Sequence, residues 1–385
     1  MESGVFDLAR TLVHDVLDPM KRAFVDKDEI IDLLGVALVG REHLFLHGPP
    51  GTAKSALVQV LGRRLQGTTF DYLLTRFTEP SELFGPFDIR RLREGDLVTN
   101  TDGMLPEASL VFLDELLNAN SAILNSLLGV LNERVLRRGR ETRALPLVMA
   151  VGASNHLPED DALGALFDRF LLRVRCENVS DERLGDVLEA GWRLEQARGS
   201  ASGAAEAPVS MEQVRELGDA IIDVDLSGVR GALGELVRAI RGAGIALSDR
   251  RAVKMQRVVA SSALLAGRAA AMPSDLWVFR YTWETEEQRE VLAALVEKAL
   301  KDVDMDKAHP RAQEGVRPDP EAIARDLDVI EDRLDGNDES AQRQSLPQDL
   351  DEIQLLAARV EWVEDEVARD HLIERLNGLR KRAQA

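Results

Sequence analysis

The sequence predicts a doubly wound α/β domain with a five-stranded parallel sheet, then an all-helical domain and a C-terminal helical hairpin. Three observations carry this expectation. Five short apolar runs alternate with stretches of helical spacing between residues 40 and 176. A glycine-rich turn, GPPGTAKS (Gly48 to Ser55), joins the first run to the helix behind it. Beyond residue 205 the apolar spacing stays helical.

The first strand is HLFLHG (His43 to Gly48), and SALVQVLGRRL after the turn has helical spacing. TTFDYLL (68–74), SLVFLDE (109–115), LPLVMAVGASN (145–155) and FLLRVRC (170–176) supply the other four strands. These place a core at 1–196, with insertions at about 85–104 and about 132–146. ARGSASGAAEAPVS is rich in Gly, Ala and Ser and marks a linker at 197–209. Helical spacing then defines a second domain at 210–305. In the remaining segment, 306–385, Ile323, Leu327, Ile330 and Leu334 form one stripe, and Ile353, Leu356, Val360, Val363 and Val367 another. Two such stripes facing each other make a helical hairpin.

Composition narrows the function classes. The net charge of −19 disfavours a nonspecific grip on nucleic acid, which needs a broad basic face. No run of eighteen apolar residues suggests a membrane span, and the N-terminal stretch lacks a signal-peptide layout. One cysteine, Cys176, leaves no internal disulfide and no cysteine-based zinc site. A cytoplasmic protein without membrane contact is the simplest expectation.

GPPGTAKS departs in one place from Gly-x-x-x-x-Gly-Lys-Ser/Thr, because Ala53 stands where the second glycine belongs. Such a loop binds phosphate through converging backbone N–H groups and a helix N-terminus. Gly48 and Gly51 permit the turn, with Pro49, Pro50, Thr52, Ala53 and Ala56 completing the loop and the first helical turn. Lys54 would lie near the β- and γ-phosphates, and Ser55 would give its hydroxyl to Mg²⁺. Alanine is tolerated at position 53 if its backbone is helical, whereas a positive φ would demand glycine.

About sixty residues later, LVFLDE ends an apolar strand in Asp114 and Glu115. Two carboxylates there are costly unless a cation waits for them. Asp114 would hold Mg²⁺, partly through water, and Glu115 would polarise an attacking water. Asn155 ends the fourth strand, where an amide orients that water or meets the γ-phosphate, and Arg169 leads into the fifth. His47 and His156 flank the region at spacings that do not suggest metal, so both are expected to be structural.

GPPGTAKS, RFTEPSELFGPFDI, TDGMLPEASLVFLDELLNAN, ILNSLLGVLNER, VGASNHLPED, ALFDRFLLRV and SDRRAVKMQR follow one another in an order and spacing that resemble the MoxR family of AAA+ ATPases, close to its RavA-like (regulatory ATPase) branch. The resemblance covers roughly residues 10 to 285. It implies ATP as nucleotide, Lys54 and Ser55 as Walker A, Asp114 and Glu115 as Walker B, and Asn155 as sensor 1. It makes Arg169 an arginine finger reaching a neighbour's ATP, and it places sensor 2 at Arg250 or Arg251 in a helical lid. It further implies a homo-hexamer, a helix-2 insert, a hairpin before sensor 1, and a separate partner with a von Willebrand factor A domain. VDKDEIIDLLGVALVG resembles the helix beside the adenine pocket. Arginines in both insertions (Arg90, Arg91, Arg93, Arg134, Arg137, Arg138, Arg140, Arg143) suggest either ion-paired hairpin tips or a basic annulus. The leading expectation is an ATP-driven remodelling motor. The alternatives are a metal-chelatase motor subunit and an ATP-dependent scaffold with little hydrolysis.

Overall fold

The computed structural model describes residues 3–88, 90, 93, 98–138, 141–158, 161–199, 208–301, 303–312, 320–334, 353, 356–357, 360 and 366–383. Helices α1 (Ser3–Thr11), α2 (Asp18–Ala23) and α3 (Asp28–Gly40) precede strand β1 (His43–His47). There follow α4 (Lys54–Arg64), β2 (Thr69–Leu73), α5 (Pro80–Phe84), β3 (Leu110–Asp114) and α6 (Ser121–Glu133). The hairpin β4 (Val135–Arg138) and β5 (Glu141–Ala144) leads to β6 (Met149–Ser154), α7 (Asp161–Phe167) and β7 (Phe170–Arg175). The five expected strands are all present and form one parallel sheet in the order β2-β3-β6-β1-β7.

Strands β1, β3, β6 and β7 are buried along nearly their whole length, which is why they read as continuous apolar runs and not as alternation. β2 is an edge strand and does alternate. The register sets His47 level with Ser154 and with Arg175, and Leu73 level with Asp114. The strand ends that carry GPPG, Asp114 and Asn155 therefore share the carboxyl edge of the sheet. In an open α/β sheet that edge, at the point where strand order reverses, is where ligands bind.

Within 132–146, β4 and β5 pair in antiparallel fashion. In the first insertion Phe87 bridges Thr99 in antiparallel fashion, while Glu94, Gly95 and Asp96 of the REGD turn, Arg91 and Arg140 lie outside the described residues. Helix α8 (Leu184–Gly199) leaves the core. Helices α9 (Met211–Ala220), α10 (Arg230–Gly242), α11 (Asp249–Leu265) and α12 (Gln288–Leu300), with a 3-10 segment (Pro273–Tyr281), make the helical domain. α9 and α11 pack on α3.

Buried charge ties this domain to the sheet. Arg173 on β7 is fully buried and donates to the carbonyls of Trp283 (2.7 Å), Phe167 (3.1 Å) and Thr282 (3.3 Å), with its guanidinium 4.2 Å over the Phe167 ring. Burial, and then the Arg251 charge, holds Arg173 well below the ordinary arginine range. Within the domain Arg268 pairs with the fully buried Asp275 (2.6 Å), which also accepts from Ser262 (2.7 Å). Cutting one partner out of such a pair costs about 3–5 kcal/mol, because the other charge is left buried and alone.

The C-terminal part is helical, as expected, but three stripes meet in it. Ile323, Leu327 and Ile330 of α13 (Pro320–Leu334) pack with Ile353, Leu356 and Val360, and with Leu372, Leu376 and Leu379 of α14 (Glu366–Ala383). α14 takes in Val367, the last residue of the second expected stripe, and adds the third; Val363 lies outside the described residues. This cluster is separate from the main core. No helix among the described residues is long and apolar enough to cross a membrane.

Two buried histidines make the fold acid-sensitive. His43 accepts from the Ala150 N–H at Nδ1 (3.0 Å) and faces the Leu131 carbonyl with Nε2 (2.9 Å), so the neutral ring uses both nitrogens. Burial, with the Arg134 charge next, pushes it down from 6.5 to about 3. Burial likewise lowers His309, stacked on Trp277, to about 4. The unfolded chain then binds protons that the folded one refuses. Stability is full above about 6.5 and is lost as the pH falls toward these values. Each histidine should cost on the order of 2 kcal/mol between pH 6.5 and 5. Urea unfolding at pH 7 and pH 5 checks this, and an unchanged midpoint would contradict it.

Candidate active site

The loop after β1 is wedged between its neighbours. The Gly48 N–H donates to the Ser154 carbonyl (3.0 Å), and the Cys176 N–H to that of His47 (2.7 Å). A β-carbon at Gly48 would lie 2.0 Å from the Cys176 carbonyl oxygen, so no other residue fits there. Thr52 Oγ1 donates to the Pro49 carbonyl (3.0 Å), and Cys176 Sγ to that of Thr52 (3.3 Å). Gly51 has φ 84°.

Ala53 departs from the expected helical backbone. It is the N-cap of α4 with φ 67° and ψ 20°, in the left-handed region. The loop must turn there to aim the helix N-terminus at its concave side. A β-carbon in this conformation costs about 1–2 kcal/mol. Strain of this kind persists only where the surroundings over-determine it.

α4 has no side-chain cap and no acidic residue in its first turn. Its free N–H groups and the dipole therefore favour an anion. Lys54 is buried, with Nζ 2.9 Å from the Gly48 carbonyl and 2.8 Å from that of Pro49, so the ammonium sits within the loop. Ser55 is half-buried next to it. Two strand spacings of about 4.8 Å separate β1 from β3, putting Asp114 roughly 10 Å from the loop's root. That gap suits a phosphate and a hydrated divalent cation.

Asp114 Oδ1 accepts from the Glu115 N–H (3.0 Å). Glu115 is also left-handed, with φ 49° and ψ 41°, which swings its side chain off the strand direction. Its Oε2 accepts from Asn118 Nδ2 (3.3 Å). Asn155 is exposed just past β6 and makes no side-chain hydrogen bond to the described residues. Asp114, Glu115, Asn155 and the loop thus meet at one edge. An uncapped helix, an ammonium, a hydroxyl and two carboxylates fit a polyphosphate with Mg²⁺.

Beside the loop opens a cavity of about 690 Å³, walled by Lys27, Gly51, Ala53, Asn178, Ala190 and Leu194. This is the size of a small-ligand site. Lys27 precedes α3, as the adenine-pocket resemblance implied, and donates to the Glu177 carbonyl (2.5 Å). The wall formed by α8 was not foreseen. Its apolar residues (Leu184, Val187, Leu194) are spaced as on any surface helix.

The two candidate lid arginines separate by burial. Arg251, only 2% exposed, donates to Glu284 and to the Thr282 carbonyl (2.7 Å), so it anchors the helical domain. Arg250 is exposed, with Nη2 2.8 Å from Asn132 Oδ1. Arg169 pairs with Asp168 (3.1 Å). Its pKa is lowered by burial and then by the Arg250 charge. Three of the hairpin arginines are committed elsewhere. Arg134 donates to backbone carbonyls, Arg137 pairs with Glu133, and Arg143 with Glu107. His47 pairs with Glu286 (3.1 Å). That bond, with Arg175 adding, holds the Glu286 carboxyl down to about 2.

Comparison with known proteins places the chain in a family. A family model described as the MoxR domain in the MoxR-vWA-beta-propeller ternary systems matches residues 10–219, and an AAA lid domain model matches 226–296. The chain is 32% identical to uncharacterized protein MJ0812 of Methanocaldococcus jannaschii, over 71% of this chain and 72% of that one. It is 27% identical to Chaperone MoxR1 of Mycobacterium tuberculosis over 44% and 45%, and 23% identical to Protein MoxR of Methylorubrum extorquens over 66% and 81%. The crystal structure of an ATPase candidate from Cytophaga hutchinsonii shares the fold, with a TM-score of 0.61 at 19% identity, covering 78% of this chain and 97% of that one. With more than half of its length matched by the first model, the chain belongs to the MoxR family of AAA+ ATPases.

Proposed function

We propose that this protein hydrolyses ATP to ADP and phosphate and uses the cycle to remodel a protein partner. The observation that carries the reading is the convergence of Lys54, Asp114 and Glu115 on one sheet edge beside an uncapped helix. Backbone N–H groups of residues 51–56 and the Lys54 ammonium would hold the β- and γ-phosphates. Ser55 and Asp114 would hold Mg²⁺, whose charge offsets that developing on the transferred phosphoryl group. Glu115 would take the proton of the attacking water, and Asn155 would orient that water. Arg169 and Arg250 would serve a site on an adjacent copy, in a homo-hexameric ring. The buried position of Arg251 supports Arg250 as the sensor 2 arginine.

The partner proposed is a separate polypeptide with a von Willebrand factor A domain, in line with the ternary systems that the matched family model describes. The motif strings keep the chain near the RavA-like branch within the family, and the cytoplasm is the compartment we propose. A trap tests the partner. Glu115→Gln with ATP and Mg²⁺ should retain from its native lysate a protein bearing an Asp-x-Ser-x-Ser site, and Lys54→Ala should not. Equal retention by both variants would count against nucleotide-driven partner binding.

A further inference from the structure

We infer that Asn118 is a positioning residue for Glu115, and that His156 holds Asn118 in the orientation this requires. The inference rests on the role proposed above for Glu115.

Glu115 follows the end of β3 in a left-handed conformation. Among the described residues the one side-chain group that holds its carboxylate is Asn118 Nδ2, 3.3 Å from Oε2. The contact is built into the backbone, because the Asn118 N–H donates to the Glu115 carbonyl (2.9 Å) and closes a 3-10 turn. The turn brings the Asn118 side chain back within reach of the Glu115 carboxylate. A glutamate has three side-chain torsions, and an unpinned one spreads its lone pairs over many directions. With Oε2 held by an amide, Oε1 is the oxygen left to accept a proton from water.

An amide can present either end, and His156 selects which. Its Nε2 lies 3.3 Å from Asn118 Oδ1. A ring N–H there donates to Oδ1 and so turns Nδ2 toward Glu115. His156 is itself fixed by its backbone N–H on Ser154 Oγ (3.3 Å). A neutral ring donates from one nitrogen only, so the tautomer that serves Asn118 carries its proton on Nε2 and leaves Nδ1, 3.3 Å from the Leu157 carbonyl, without a hydrogen bond there. Ser154 is fully buried at the end of β6 and immediately precedes Asn155. The relay therefore joins the carboxylate that follows β3 to the end of β6, next to Asn155.

Asn118→Asp is the informative variant, since it keeps size and shape but cannot donate to a carboxylate. It should lower kcat by about 10- to 100-fold, the scale on which misplaced catalytic groups act, with KM and nucleotide Kd within about twofold of wild type. Asn118→Ala should lose about as much. His156→Leu should lose less, about three- to tenfold. His156→Gln, whose amide nitrogen reaches the place of Nε2, should recover most of that loss. A merely structural role would show in the melting temperature of Asn118→Ala, which removes the amide without adding charge. A wild-type kcat in Asn118→Asp, or a loss confined to nucleotide Kd, would overturn the relay alone. A wild-type kcat in Glu115→Gln, measured alongside, would overturn the role of Glu115 and the relay with it.

Discussion

Glu115→Gln is expected to release phosphate from ATP at least about 10³-fold more slowly than wild type, while binding ATP as tightly. The substitution keeps the size of the side chain and its ability to accept from Asn118, 3.3 Å from Oε2. It removes only the basic oxygen that would take the proton of the water. Uniform binding through Lys54 and the loop amides is untouched, so the loss should fall on kcat and leave the dissociation constant alone. Phosphate release beside equilibrium binding of a fluorescent ATP analogue separates the two. A parallel loss of affinity would mean that Glu115 helps hold the nucleotide and is not its base.

Arg169→Ala should cut turnover about 10³-fold, the scale on which an arginine supplied to a phosphoryl-transfer site acts. The structure gives this residue an unusual setting. Arg169 leans on Asp168 at 3.1 Å, and Arg251 Nε lies 3.8 Å from the same carboxylate. Burial and the Arg250 charge both disfavour its protonated form. Arg169 shares its one carboxylate with Arg251, and Arg250 meets an amide and not a carboxylate, an arrangement suited to an anion arriving from outside the chain. Mixing separates action within a copy from action between copies. Arg169→Ala retains Lys54, and Lys54→Ala retains Arg169. A random ring made from equal amounts should contain intact composite sites at about a quarter of its interfaces and recover activity on that order. No recovery would place Arg169 at the site of its own chain.

Much of the fold was legible because buried parallel strands are apolar throughout and end abruptly in Gly, Asp or Asn. HLFLHG, LVFLDE and VGASN each have that form. The strand order was not, since it depends on which crossover passes over which face. Ala53 shows a different limit. Its residue type alone argued for a helical backbone, but the turn that aims α4 forces φ to 67°. Arg250 and Arg251 are chemically identical neighbours. Only the N-cap at Ser248, whose Oγ accepts from the Arg251 N–H at 3.2 Å, fixes which one points inward. α14 was visible in Leu372, Leu376 and Leu379, at four-three spacing, but charged residues on every other face diluted the stripe. Asn118 and His156 belong to different strands' loops, so nothing local in the chain announces their contact.

Phosphate release from ATP and Mg²⁺ by the purified wild-type chain, followed over a range of chain concentrations, tests the central claim most directly. The rate per chain should rise with concentration as copies complete one another's sites and then level off. It should vanish in Lys54→Ala. Absence of Mg²⁺-dependent phosphate release at every concentration would contradict the account.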